Sequence, residues 1–221
     1  VDVSILGPLA LEAGDTPVTV RGNRRRSLLA RLAVADGRTV RTDELLEDVW
    51  PAGPPPAAGA NLQTYVHQLR RLLGPDGSCL VTRPGGYALE LAPDGLDARR
   101  FEQLVERARG LETPGERSSG LADALGLWRG PALVDFADHD WARGHAARLE
   151  ALRLVALEER MDARLACGGH AEALPELESL VAEHPLRERF WSQLMLALYR
   201  CGRQADALRA YRRLRERLVD E

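Results

Sequence analysis

The stretch ANLQTYVHQLRRLLG, Ala60–Gly74, carries the pattern on which the fold turns. At about 100° per residue, the step of an α-helix, Leu62, Val66, Leu69 and Leu73 fall on one stripe, and that stripe is the one a helix buries. Ala60, Asn61, Thr64, His67, Gln68 and Arg71 share the opposite face. A solvated helix face ordinarily mixes acids with bases; this one holds no acid. Its residue types suit the edges of a DNA duplex: Arg bonds guanine bidentately, Asn and Gln bond adenine, and Thr meets the thymine methyl or a phosphate.

The flanks share this character. From Thr16 to Ala35 there are five arginines (Arg21, Arg24, Arg25, Arg26 and Arg31) and no acid, and from Val49 to Pro75 acids are again absent while Arg70 and Arg71 are present. The formal net charge of the chain is −3, and residues 1–95 hold 10 Arg against 11 Asp plus Glu, so the total points to no polyanion. A polyanion responds to the local patch instead.

On the N-terminal side, VDVSILGPLALEAGDTPVTV offers three short β-rich runs near 2–6, 9–12 and 17–20, separated by Gly-Pro and AGDTP, which predicts an antiparallel meander. RRRSLLARLAVADG then predicts a helix ending near Gly37, and RTDELLEDVW a second, with Thr42 as N-cap and Asp43 and Glu44 in its first turn. PAGPPP interrupts it, since proline lacks an amide hydrogen and clashes with the preceding turn. The 60–74 helix is third. CLVTRPGGYALEL, Cys79–Leu91, reads as a hairpin about Pro-Gly-Gly. Three helices with the acid-free one last, closed by a hairpin, describe a winged helix. Arg83, beside the hairpin tip, lies on the wing, where a narrow minor groove attracts arginine. Arg24, Arg25 and Arg26 open the first helix, whose N-terminus adds partial positive charge toward a phosphate.

APDG, residues 92–95, is the expected boundary, giving domains 1–92 and 97–221, the second entirely helical. Helices are expected near 97–109, 117–128, 141–167, 170–184, 186–201 and 203–219. CGGHAEALPELESL (167–180) and CGRQADALRAYRRL (201–214) align without a gap at an offset of 34 residues, matching Cys, Gly168 with Gly202, Ala171 with Ala205, Ala173 with Ala207, Leu174 with Leu208 and Leu180 with Leu214. That offset is the tetratricopeptide period, in which small residues let paired helices approach closely. The fold class is thus mainly α with small β: a winged helix-turn-helix, then a tetratricopeptide-like domain.

The chain has 221 residues, 45% apolar and 29% charged, the composition of an ordinary folded protein. No apolar run approaches the roughly 18 residues of a membrane span and no signal pattern opens the chain, so the reading is cytoplasmic with no membrane partner. Cys79, Cys167 and Cys201 are widely spaced without C-x-x-C, which indicates neither a disulfide framework nor a zinc site. All 30 basic residues are arginine, a codon-bias signature of a G+C-rich genome. The start at Val1 and the end inside a helical pattern read as a portion of a longer protein.

RTDELLEDVWPAGPPPAAGANLQTYVHQLRRLLG followed by VTRPGGYALEL resembles the OmpR-type winged helix of the Streptomyces antibiotic regulatory protein (SARP) family. LDARRFEQLVERARG and ALGLWRGPALVDF resemble the bacterial transcriptional activator domain (BTAD) that follows it there. The resemblance implies an activator, not an enzyme, that binds direct repeats near a promoter's −35 element as two protomers and recruits RNA polymerase holoenzyme, often to turn on antibiotic biosynthesis. It places Thr64, Tyr65, His67, Gln68, Arg70 and Arg71 on the DNA-facing part of the third helix and Arg83 on the wing. It assigns polymerase contact to the loop Pro51–Gly59, which here holds more proline than charge. It implies no cofactor and no metal.

Two rivals make different demands on the residues. A protein-interaction scaffold built of tetratricopeptide helices, without specific DNA binding, leaves the acid-free helix and the wing unexplained. An enzyme would have to use Asp138, His139, Asp140 and His145 of DHDWARGH, or the glycines of RPGGY. Those glycines turn a hairpin instead of opening a helix, and the His/Asp group lies where a loop enters a long helix. No Walker A, G-x-S-x-G or H-E-x-x-H pattern occurs in the sequence.

Overall fold

Three short strands open the chain: β1 (Asp2–Ser4), β2 (Ala10–Ala13) and β3 (Thr16–Pro17) pair as an antiparallel meander in that order, with Val3 opposite Leu11 and both buried. In this computed structural model residues 1–14 and 16–219 are described. They form two units, Val1–Gln103 with Gly126–Leu152, and Leu104–Leu125 with Arg153–Glu221.

In the first unit the meander leads into α1 (Asn23–Val34), α2 (Thr42–Val49) and α3 (Ala58–Leu72). A 3₁₀ turn (Gly74–Cys79) then enters the hairpin of β5 (Leu80–Arg83) and β6 (Gly86–Leu89). Between α1 and α2 lies β4 (Val40–Arg41), which the sequence pattern does not reveal because two residues have no readable period. β4 pairs with β6, giving the strand order β4-β6-β5. Gly86 stands opposite Arg41, and a Cβ there would run into the Val40 carbonyl oxygen, so this approach requires glycine. Leu62, Val66, Leu69 and Leu73 are all at most 2% exposed, and Leu28, Leu29 and Leu32 of α1 and Leu45 of α2 are equally buried.

Two local expectations change. Thr42 is the first residue of α2 and not its cap, a position held by Arg41. The reason is β4: strand pairing draws Thr42 onto the hairpin turn, where its N–H and its hydroxyl both donate to the Gly85 carbonyl at 2.9 and 3.2 Å. Asp43 and Glu44 do occupy the first turn. The helix expected near 117–128 is α5, Pro114–Leu125. It starts earlier because Thr113 and Glu116 form a capping box: the Glu116 N–H donates to the Thr113 hydroxyl, and the Glu116 carboxylate accepts the Thr113 N–H, each at 3.2 Å.

Residues 126–152 join the first unit through the backbone. The Arg129 and Leu133 N–H groups donate to the Leu6 and Ile5 carbonyls, each at 2.8 Å, while the buried Asp97 carboxylate accepts the Ile5 and Leu6 N–H groups at 2.8 and 3.0 Å. Burial pushes the Asp97 carboxyl above the usual carboxylate range, against the pull of those amides and of Arg129. The folded state therefore holds this proton more tightly, and its contribution to stability falls as pH rises from the ordinary value toward the raised one.

The remaining helices are α4 (Asp97–Arg109), α6 (Asp140–Ala166), α7 (His170–Glu183), α8 (Glu188–Arg200) and α9 (Gln204–Val219). Within the second unit the 34-residue offset carries α7 onto α9 and also the C-terminal half of α6 onto α8, matching Met161 with Met195 and Ala163 with Ala197. The repeat is thus a helix pair, residues 154–187 and then 188–221. Both first helices stop in the same way. Gly168 and Gly202 have φ of +82° and +75°, and the following residue closes a six-to-one bond, Gly169 N–H to the Arg164 carbonyl and Arg203 N–H to the Leu198 carbonyl. Such an end needs a residue without a Cβ.

Candidate nucleic-acid interface

Because its leucine stripe is fixed from behind, α3 shows one constant side to solvent. Ala60, Thr64, His67 and Arg71 are exposed on it, together with Gln63, which the wheel places about 60° from the centre of the face. Gln63 is the residue that the sequence reading passes over, although its angle lies nearer the centre than those of Asn61 and Gln68. Those two are half-buried at the edge. The Thr64 hydroxyl donates to the Ala60 carbonyl one turn back at 3.0 Å.

Tyr65 and Arg70 are half-buried and engaged elsewhere. Tyr65 stacks on Trp50, ring centroids 5.9 Å apart and planes 19° apart, and Trp50 is itself buried at the end of α2. The Arg70 guanidinium donates to the Leu80 carbonyl at 2.8 Å and to the Thr82 hydroxyl at 2.9 Å, which ties α3 to β5. Arg70 therefore sets the angle between helix and wing, a role that only the nonlocal contact with β5 reveals. Between them His67, Arg70 and Arg71 face Ser78, Leu80 and Thr82 across an open groove of about 560 Å³. Pro84 and Gly85 form the wing tip, and Arg83 beside them is exposed and ion-paired with Glu90.

At the start of α1 the three arginines separate. The Arg24 guanidinium stands 5.4 Å from the centroid of the Trp50 ring, a cation–π contact that leaves the residue exposed. Arg25 is half-buried beside Gly22. Arg26 donates to Asp135, which also accepts the Leu9 N–H at 2.7 Å. The N-cap of α1 is Gly22, with no side-chain cap and no acid in the first turn, so its leading N–H groups remain available to an anion.

The DHDWARGH residues do not converge. The His139 ring lies edge-on to Phe136 and Trp141, Asp140 pairs with Arg143 in the first turn of α6, and His145 is pushed below the usual histidine range by burial and then by Arg31, Arg148 and Arg38. Among the described residues no group of three or more His, Cys, Asp or Glu side chains is placed to hold a metal ion, and no helix is long and apolar enough to cross a membrane.

Comparison with known proteins agrees with this geometry. Residues 17–89 match the model of the transcriptional regulatory protein C-terminal domain, and residues 96–221 that of the bacterial transcriptional activator domain. The chain is 40% identical to the transcriptional regulator RedD of Streptomyces coelicolor, over 100% of this chain and 65% of RedD, and 39% identical to the regulatory protein DnrI of Streptomyces peucetius, over 99% and 85%. A solved structure of Mycobacterium tuberculosis EmbR in complex with a low-affinity phosphopeptide superimposes with a TM-score of 0.92 at 36% identity, covering all of this chain and 60% of that one. The chain thus spans about two thirds or less of RedD and EmbR. It belongs to the SARP family of transcriptional regulators, an OmpR-type winged helix followed by a bacterial transcriptional activator domain.

Proposed function

We propose that this chain is a sequence-specific transcriptional activator: residues 1–92 bind duplex DNA, and residues 97–221 are the activator domain, working on the chromosome in the cytoplasm. The observation that carries the reading is the acid-free exposed face of α3, held by four buried leucine and valine side chains beside a wing. In this reading α3 enters the major groove, with Gln63, Thr64, His67 and Arg71 toward the bases and Asn61 and Gln68 at the edge. Arg83 follows the minor groove, Arg24 and Arg25 meet phosphates, and Arg26, Tyr65 and Arg70 hold the frame from which the contacts are made. Two protomers on a direct repeat near the −35 element present the proline-rich loop 51–59 to RNA polymerase holoenzyme, the step that turns on biosynthetic genes. The chemistry is binding and recruitment.

Titration of fluorescent operator DNA tests this. Affinity for the promoter of its own gene should fall steeply with salt, because phosphate contacts release counterions. Arg71→Ala should weaken specific binding by about 1–3 kcal/mol while nonspecific DNA changes little, the signature of a base contact. Equal weakening on all sequences with a flatter salt slope moves Arg71 to a phosphate. Unchanged binding removes α3 from the interface, and affinity indifferent to salt returns the chain to a protein-interaction scaffold.

A further inference from the structure

The internal repeat compares each surface of the second helix pair with its counterpart in the first. Leu165, Leu174 and Leu177 are 5%, 8% and 0% exposed, in one apolar cluster with Phe190, Trp191 and Leu194 of α8. Thirty-four residues on stand Tyr199, Leu208 and Tyr211, which are apolar or aromatic again but 60%, 59% and 53% exposed. The sequence therefore keeps, on the outside of α8 and α9, the side chains that the first repeat uses to seat the next helix. We propose that Tyr199, Leu208 and Tyr211 are the docking surface for an acidic amphipathic helix of a separate protein, lying there as α8 lies on the first repeat.

The charges select the sign of the partner. On the first repeat α8 is anchored base on acid: Arg187 donates to Glu158 at 3.1 Å, and Arg189 pairs with Asp162. The counterparts of those acids are Ser192 and Leu196, which hold no charge. In place of acids the second repeat offers Arg212 and Arg215, exposed and within about 40° of Leu208 around α9. They stand where the first repeat has Glu178 and Val181, and neither has a carboxylate partner among the described residues. A helix that fits carries Glu or Asp where α8 is led by arginine. A second copy meeting this face with its own would set Arg212 and Arg215 against their like, which disfavours that occupant.

The test uses the whole chain and two labelled synthetic peptides. Both follow the Phe190, Trp191, Leu194 and Leu198 spacing of α8; one has Glu at its remaining exposed positions and the other Arg. Fluorescence anisotropy should show saturable binding of the Glu peptide, at least about tenfold tighter than the Arg peptide and weaker as salt rises. Leu208→Ser with Tyr211→Ser should abolish it, while circular dichroism and thermal unfolding of the variant match the parent. Three results overturn the proposal: no saturable binding, binding that the double substitution leaves unchanged, or no preference between the peptides. Self-association lost in the same variant would give the face to a second copy, and binding to anionic phospholipid vesicles lost there would give it to a membrane surface. Either overturns it as well.

Discussion

Residues 154–187 and 188–221 are one helix pair written twice, and what they share differs in kind from what they do not. Shared are the residues that fix backbone geometry: Ala163 and Ala197, Ala173 and Ala207 where helices come close, and the left-handed glycines Gly168 and Gly202. Side chains that fill the space are exchanged in matched groups. Arg160 and Glu176 form an ion pair in the first repeat, with Arg164 also on Glu176; the equivalent positions in the second are Leu194, Ala210 and Leu198, all buried. The charge reverses too, from three arginines against seven acids to eight arginines against five acids. The approach of the helices is therefore the constraint, and either a polar or an apolar pairing satisfies it.

If the apolar core carries the second repeat, Trp191 should be its most sensitive position. The side chain is fully buried, its indole N–H donates to the Pro185 carbonyl at 2.8 Å, and the Arg213 guanidinium stands 5.3 Å from its ring centroid. Trp191→Ala should cost about 3–5 kcal/mol in urea unfolding. Its counterpart Leu157 is only half-buried, and Leu157→Ala should cost about half as much. Equal losses would show that the two repeats share one core without the division drawn above. Leu174→Ala, in the same cluster as Trp191, should cost about 2–4 kcal/mol.

The matched exchange allows a sharper measurement. Glu176→Ala leaves Arg160 without its acceptor where burial, and then neighbouring Arg164, already pull that guanidinium below its ordinary value. With the pair partly open to solvent, the loss should be about 1–3 kcal/mol. Adding Arg160→Leu writes the second repeat's pairing into the first, and the double variant should return to within about 1 kcal/mol of the parent, since a well-packed apolar pair replaces an ion pair at little cost. A double variant as unstable as the sum of its singles would mean that the ion pair has a positional role that leucine does not fill.

This contrast also explains what could be read from the sequence. The stripe of α3, the hairpin about Pro84 and Gly85 and the 34-residue offset are local or periodic, so each leaves its pattern in consecutive residues. The engagement of Arg70 with β5, of Tyr65 with Trp50 and of Arg26 with Asp135 depends on residues far apart in the chain, and periodicity carries no trace of them. The same holds for β4, which exists as a strand because Gly86 lets β6 come close, and for Asp97, a buried acid whose partners lie more than 90 positions away. Gln63 is a different case: its angle on the helix was available, and only its exposure in the structure brings it onto the face.

The smallest effect belongs to Leu208. It is the same residue as Leu174, 34 positions later on the equivalent helix, yet 59% exposed against 8%. Burial and not identity sets the cost of truncation, so Leu208→Ala should change the unfolding free energy of the chain by no more than about 0.5 kcal/mol, where Leu174→Ala removes several times that. A loss above about 1 kcal/mol at Leu208 would mean that something covers the side chain in solution. Repeating the urea titration over a hundredfold range of protein concentration separates the sources, because a loss that shrinks on dilution comes from contact between copies and one that does not comes from within the chain. A value near zero leaves Leu208 as an apolar side chain kept on the surface at no benefit to folding, which is what a position reserved for a partner should show.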